Sequence, residues 1–156
     1  MKRHPSLEPF SRDHNTGLIL ARRLQQHPTE GSLNEFLHAW QVEIEDHFDE
    51  EERLLGPLIS ESMRAQLLDE HRLIRDVASR LKAGEPAQED VCRLGEALEN
   101  HIRWEERVLF PEIERTATSQ QLAQLAKATD EVEARHAASG LAPRRAELVA
   151  RRRKTL

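Results

Sequence analysis

His47-Phe-Asp-Glu-Glu51-Glu52-Arg53-Leu-Leu55-Gly-Pro57-Leu-Ile59 is matched 54 positions later by His101-Ile-Arg-Trp-Glu105-Glu106-Arg107-Val-Leu109-Phe-Pro111-Glu-Ile113. Both stretches read H-x-x-x-E-E-R-x-L-x-P-x-I. A lone histidine stands about thirty residues before each copy: His14 before the first, His71 before the second. Self-similarity at a fixed period marks a duplicated supersecondary unit. Each unit carries two imidazoles and a carboxylate one helical turn past one of them. Those donor types hold cations.

The rest of the chain is the material of helices. Of its 156 residues, 33% are charged and only 4% aromatic, with no Tyr and six Gly. That composition favours amphipathic helices over a sheet, and the length suits one domain with a real core. The single cysteine, Cys92, excludes an intrachain disulfide framework and a Cys-rich zinc or iron–sulfur site. It reads as a small core or boundary residue. No apolar run approaches the roughly 20 residues that span a bilayer, and Met-Lys-Arg-His-Pro leads into no hydrophobic signal segment. The expectation is a soluble cytoplasmic chain with no membrane partner. Net charge is -5, unevenly spread: residues 140–156 carry about +5, leaving about -10 for the remainder. An acidic body is a poor nucleic-acid binder. The basic stretch is a solvated tail or a docking element for an acidic protein partner. The expected organisation is therefore a domain over 1–139, with its core over 10–115, and a basic tail over 140–156.

Breakers and caps divide the domain. Helix 1 is expected from near Ser11 to His27-Pro28. Ser32-Leu-Asn-Glu35 reads as a capping box opening helix 2, which runs to Gly56-Pro57. Helix 3 begins around Ser60–Ser62 and ends at Lys82, before Gly84. Helix 4 has Pro86 near its first turn and runs from about Ala87 to Arg115, with Pro111 a candidate kink or early end. A shorter fifth helix spans Ser119 to Ala138, closed by Gly140 and Pro143. The fold class expected is all-α: an up-down-up-down four-helix bundle with a short C-terminal fifth helix.

At 100° per residue, His47 shares a face with Phe36, Trp40, Glu51 and Leu54. His101 shares one with Leu94, Leu98, Glu105, Val108 and Leu109. His71 falls with Leu67, Ile74 and Ala78, and His14 with Phe10, Leu18 and Ala21. One inward histidine is usually a satisfied core residue. Four, one per helix, with two carboxylates whose burial alone would be costly, point to cations. Spacing of i and i+4 puts His47 with Glu51 and His101 with Glu105 on one side of their helices. In the expected topology Glu51 and Glu105 lie at one height and can bridge two cations, each taking two histidines. A solvent-derived oxo or hydroxo bridge brings each to five ligands and leaves a place open on an octahedral ion. Such donors suit iron, manganese, zinc or cobalt. Iron is the choice, since open His/carboxylate sites suit dioxygen chemistry. His4, His27, His38 and His136 read as surface residues.

This pattern resembles the hemerythrin-like, or HHE cation-binding, family over about residues 10–115. The resemblance implies a di-iron centre in a four-helix bundle, with His14, His47, His71 and His101 as terminal ligands and Glu51 and Glu105 as bridges. The chain departs from oxygen-carrying hemerythrins in two places. Arg75 stands where they have a further histidine, and His101 and Glu105 are four apart where they have a wider His-x4-Asp spacing. The four-His, two-Glu set is more similar to iron-centre repair proteins of the same family, without their N-terminal cysteine segment. A ferritin-like site would instead need Glu-x-x-His pairs.

Further residues carry alternatives. Glu43 lies one turn before His47 and Arg75 one turn after His71. They form a buried ion pair lining the open coordination face, or Glu43 takes the place of the absent histidine, or both bend out to solvent. Glu52 with Arg53 and Glu106 with Arg107 read more readily as exposed helix pairs than as groups orienting the ligands. Trp104, in the place of Glu50, packs at a bundle edge or against helix 5. The function expected is binding or sensing of dioxygen, nitric oxide or peroxide at an open metal pair. The alternatives are a di-iron enzyme or iron donor in stress repair, and a non-reactive metal store.

Overall fold

A computed structural model describes residues 2–84 and 87–138. Pro86, Gly140, Pro143 and the basic stretch 140–156, for which roles were expected above, lie outside the described residues. The described chain is helical, with no strand. Helix α1 is Glu8–Gln26. Helix α2 is a continuous rod over 30–55, in which Glu30–Ala39 and Glu45–Leu55 are α-helical and Trp40–Ile44 form a π-helical turn. A 3-10 turn, Gly56–Leu58, leads to α3, Glu61–Ala83. Helix α4 runs over 88–116: Gln88–Trp104, a π-helical turn at Glu105–Leu109, then Phe110–Thr116. Helix α5 is Ser119–Ala138, as long as α1 rather than short.

Three expected details change. The cap of α2 is Thr29, not Ser32. Thr29 is extended (φ -106, ψ 165) and its hydroxyl accepts the Ser32 amide, so the helix starts two residues before the expected box. Ser60 caps α3 as its position suggested, accepting from Met63 N–H at 3.2 Å. Pro111 neither ends nor breaks α4. The Phe110 amide reaches back five residues to the Glu105 carbonyl, forming the π-turn. Pro111 has no N–H to offer the next carbonyl, that of Glu106, and the Arg3 guanidinium donates to it instead at 2.9 Å. The π-turn also adds a residue to the winding. Leu109 therefore faces the core, and Val108, expected there, is 43% exposed.

Cross-helix bonds give the register. Arg23 meets Glu35 and His47 meets Asp13 between α1 and α2. Arg64 meets the Gly56 carbonyl and Arg75 meets Asp49 between α3 and the α2 end. Gln25 meets Glu99 and His14 meets Glu106 between α1 and α4. Numbers rise along one partner as they fall along the other. Helices α1 and α4 approach closely. A Cβ on Gly95 would lie 2.6 Å from the Ala21 carbonyl oxygen, so only glycine fits there. Helix α5 buries Leu125 and Val132 and ties itself to α1 through Arg12–Glu133 and to α2 through Glu50–His136. His136 is thus docked rather than free at the surface. His4 is half-buried, its ring bonded to Ser6, and His27 and His38 are exposed.

The core is in two pieces. Leu20, Leu24, Phe36, Ile74, Leu94 and their neighbours fill one end. Leu7, Phe10, Leu55, Leu67, Leu109, Phe110 and Ile113 fill the other. The six expected donors all lie in the bundle interior, buried with these two clusters.

Candidate metal centre

His14, His47, Glu51, His71, His101 and Glu105 are all at most 5% exposed. They form two groups: His14, His47, Glu51 and Glu105, and Glu51, His71, His101 and Glu105. Within each group the donor atoms lie within 4.8 Å of one another. The two carboxylates belong to both, as their matching positions in the repeat require. His47 Nε2 stands 2.7 Å from Glu51, His14 Nε2 3.0 Å from Glu105, and His101 Nε2 3.2 Å from Glu105. His71 and His101 bring their Nε2 atoms within 3.0 Å. Donors bonded to one cation at about 2.1 Å sit about 3 Å from their neighbours. The residues therefore fit a pair of cations. The polar atoms support this. Nε2 of His14 and His47 and all four oxygens of Glu51 and Glu105 are buried without a hydrogen-bond partner. Six such atoms in one layer would be costly as a structural network.

All four Nε2 atoms face inward because each Nδ1 is held by a carboxylate. His14 Nδ1 bonds Glu106 at 2.7 Å, His71 Nδ1 bonds Glu52 at 2.7 Å, His101 Nδ1 bonds Glu70 at 3.1 Å, and His47 Nδ1 bonds Asp13 at 3.2 Å. A carboxylate behind a ligating imidazole fixes its tautomer and strengthens it as a donor. Glu52 and Glu106 are therefore orienting groups, not the exposed pairs expected, while Arg53 and Arg107 are exposed. Asp13 and Glu70 were not singled out in the sequence, although an acid precedes the lone histidine in both halves. The full repeat is acid-His, then His-x-x-x-Glu-Glu. Converting Glu70 to Gln is expected to weaken metal binding by about 10–100-fold with helicity unchanged, as read by competition with a chelator of known affinity.

Aromatic rings wall the layer. Phe48 stacks on His71 at 3.9 Å between centroids, and Phe110 stacks on His14 at 5.4 Å. Trp104, 6.3 Å from His101, sits at the bundle edge in a surface groove with Gln66, Glu70 and Leu73.

Charge is matched inside the layer. Burial works against a charged imidazole, but Glu51 and Asp13 outweigh it for His47 and push it up to about 10. Glu105, Glu70 and Glu51 likewise bring His101 to about 9 against the cost of burial. His14 is raised well above its ordinary value, burial being outweighed by Glu105, Glu106 and Glu51. Glu51 is held below its ordinary range despite burial by His47, His14 and His71.

Glu43 and Arg75 do not form the expected ion pair. Arg75 is only partly buried and binds Glu52 at 2.6 Å and Asp49 at 2.7 Å, bracing the carboxylate behind His71. Removing it strands no buried charge, so the large cost expected of a buried pair does not apply. Glu43 sits in the π-turn of α2, whose wider winding turns it toward α1 and α4. It stands outside both donor groups and so does not replace a histidine. It lines a small cavity of about 20 Å³ with Asp13, His14, Gly17, His47, Leu98 and Glu105.

Comparison with known families finds a match to the hemerythrin HHE cation binding domain over residues 6–111. Comparisons with curated proteins and with solved structures find none. No helix among the described residues is long and apolar enough to cross a membrane.

Proposed function

The chain belongs to the hemerythrin HHE cation-binding domain family, and on that footing we propose that it is a non-heme di-iron protein binding or sensing a small oxidant or diatomic gas. His14 and His47 would hold one iron, His71 and His101 the other, and Glu51 and Glu105 would bridge them. The bundle over 10–115 would carry this centre in up-down-up-down order, which the cross-helix pairings support. The observation that carries the reading is the unequal access of the two halves. Each offers four protein donors where an octahedral ion takes six, so each has room for a small ligand. Only the His14/His47 half faces the cavity. In the other half Ile74, 1% exposed, stands where the first half has Gly17, and Phe48 stacks on His71.

When bound, an iron pair supplies ligand binding and one-electron exchange. The protein does the rest. Glu106 and Asp13 keep the His14 and His47 tautomers that expose Nε2. Ile44, Phe48, Leu98 and Ile102 keep bulk water from the cavity. Glu51 and Glu105 hold both halves at a fixed separation. Loading the protein with iron and titrating nitric oxide should give one saturable ligand band per chain. Absence of any ligand band would leave a closed metal store as the better reading.

Metal uptake must also move protons. His47 and His101 have folded-state values of about 10 and about 9, so in the metal-free protein they hold protons at pH 7; His14 is shifted in the same direction. Ligation needs those Nε2 lone pairs. Loading at pH 7 should release at least two protons per chain, one each from His47 and His101. Apparent affinity should rise with pH through about 9 and up to about 10, the His101 and His47 values, and fall as pH drops. Release is read with an indicator dye in weak buffer, and uptake with no proton release would contradict the assignment.

A further inference from the structure

The two lone histidines sit in the same three-part cradle, built from residues that mostly do not correspond. His14 has Glu106 behind its Nδ1 and Phe110 stacked on its ring. His71 has Glu52 behind its Nδ1 and Phe48 stacked on its ring. An arginine completes each set. Arg3, which precedes α1, bonds Glu106 Oε2 at 2.6 Å and lies over Phe110, its guanidinium carbon 5.2 Å from the ring centre. Arg75, on α3, bonds Glu52 Oε1 at 2.6 Å and lies over Phe48 at 5.8 Å. Each arginine also takes a second acid from the same helix as its glutamate, Glu114 for Arg3 and Asp49 for Arg75. Only the glutamates match in the repeat. Aligning the paired histidines puts Ile102 opposite Phe48 and Gly56 opposite Phe110. Aligning the lone histidines puts Leu18 opposite Arg75 and Ser60 opposite Arg3. Duplication therefore does not account for the match, and two unrelated segments of the chain supply it.

Resting on the assignment of His14 and His71 as ligands of different cations, we infer that Arg3 and Arg75 are matched positioning residues: each clamps the carboxylate and the ring that hold one lone histidine, and so fixes the aim of one Nε2 donor per half. The need comes from exposure. Side chains of Glu52 and Glu106 are 24% and 28% exposed, and a glutamate at a surface has many rotamers and water to draw it away. A charge-assisted bond to a guanidinium keeps it where the imidazole N–H requires it. The planar fork spans two acids at once and lays its face on the aromatic ring, a combination that the single ammonium of lysine does not reproduce. A guanidinium has no lone pair to give a cation, so each arginine acts through its glutamate and phenylalanine.

The probe is cobalt(II), which accepts imidazole and carboxylate donors and absorbs in the visible. Chelator competition gives its affinity for wild type, Arg3→Gln, Glu106→Gln and the double variant, and for the matching set at Arg75 and Glu52, with circular dichroism to check the fold. Each arginine variant should hold one of its two cobalt ions about tenfold more weakly. The visible bands of the fully loaded variant should also shift, a change that loss of stability alone does not cause. Each double variant should bind within about twofold of Glu106→Gln or Glu52→Gln alone, because the arginine then has nothing left to position. Arg3→Lys, with a smaller loss expected, takes the place of Arg3→Gln if that variant does not fold. Losses that multiply in either cycle, or unchanged affinity and bands in a folded arginine variant, would overturn the clamp and leave the metal centre standing. Wild type that holds fewer than two cobalt ions per chain would overturn both.

Discussion

Stripping the cations from the loaded protein should lower its melting temperature by roughly 15–30 °C. Anything that binds only the folded state stabilises it by mass action, about 4 kcal/mol per site at a thousandfold excess over Kd. Two sites give about 8 kcal/mol, and a chain of this size shifts by roughly 2–4 °C per kcal/mol. The sensitivity has a structural source. Without cations, the buried Glu51 and Glu105 carboxylates face the histidines, which balance their charge only while protonated. The raised His47 and His101 values stabilise the metal-free fold below the ordinary histidine range. That contribution is lost as pH climbs through about 9 and about 10. The metal-free protein should therefore also melt lower at pH 10 than at pH 7. Scanning calorimetry before and after chelation measures both. A fall of only a few degrees on chelation would mean that the buried layer is self-sufficient as a polar network.

Glu51→Ala should empty both halves of the site at once. Glu51 and Glu105 are the only residues common to the two donor groups, so losing either strips a donor from each cation and removes a bridge. Histidines belong to one group each. Elemental analysis at a metal concentration that saturates wild type should find well under one cation per chain in Glu51→Ala and about one in His71→Ala. Truncating one member of a buried charged cluster is costly when the rest stays charged, so circular dichroism must accompany the count. The isosteric Glu51→Gln covers the case in which the alanine variant unfolds. Retention of one tightly held cation in a folded Glu51 variant would show that this carboxylate serves one half alone.

The fold was legible where local chemistry decides it. Ser60, Gly84 and the run from Ser119 are placed by caps and breakers that act within a turn. The burial of the six candidate donors was legible because periodicity put them on inward faces twice over. What escaped was set by departures from ideal winding and by contacts between helices. The π-turn at Trp40–Ile44 redirects Glu43, and the one at Glu105–Leu109 exposes Val108 in favour of Leu109. Constant 100° steps see neither. Thr29 took the capping role from Ser32 because the turn after Pro28 leaves it extended. The carboxylates behind the histidines all reach from another helix: Glu52 from α2 to α3, Glu70 from α3 to α4, Asp13 from α1 to α2, Glu106 from α4 to α1. Such reach follows from register, which the sequence of one helix does not state. The acid before His14 and before His71 was nevertheless a usable sign.

Diffraction from crystals of the iron-loaded protein, with anomalous data collected across the iron edge, bears most directly on the central claim. Two anomalous peaks should appear in the bundle interior, one bonded to Nε2 of His14 and His47, the other to Nε2 of His71 and His101, with Glu51 and Glu105 touching both. A single peak, or peaks away from these six side chains, would contradict it.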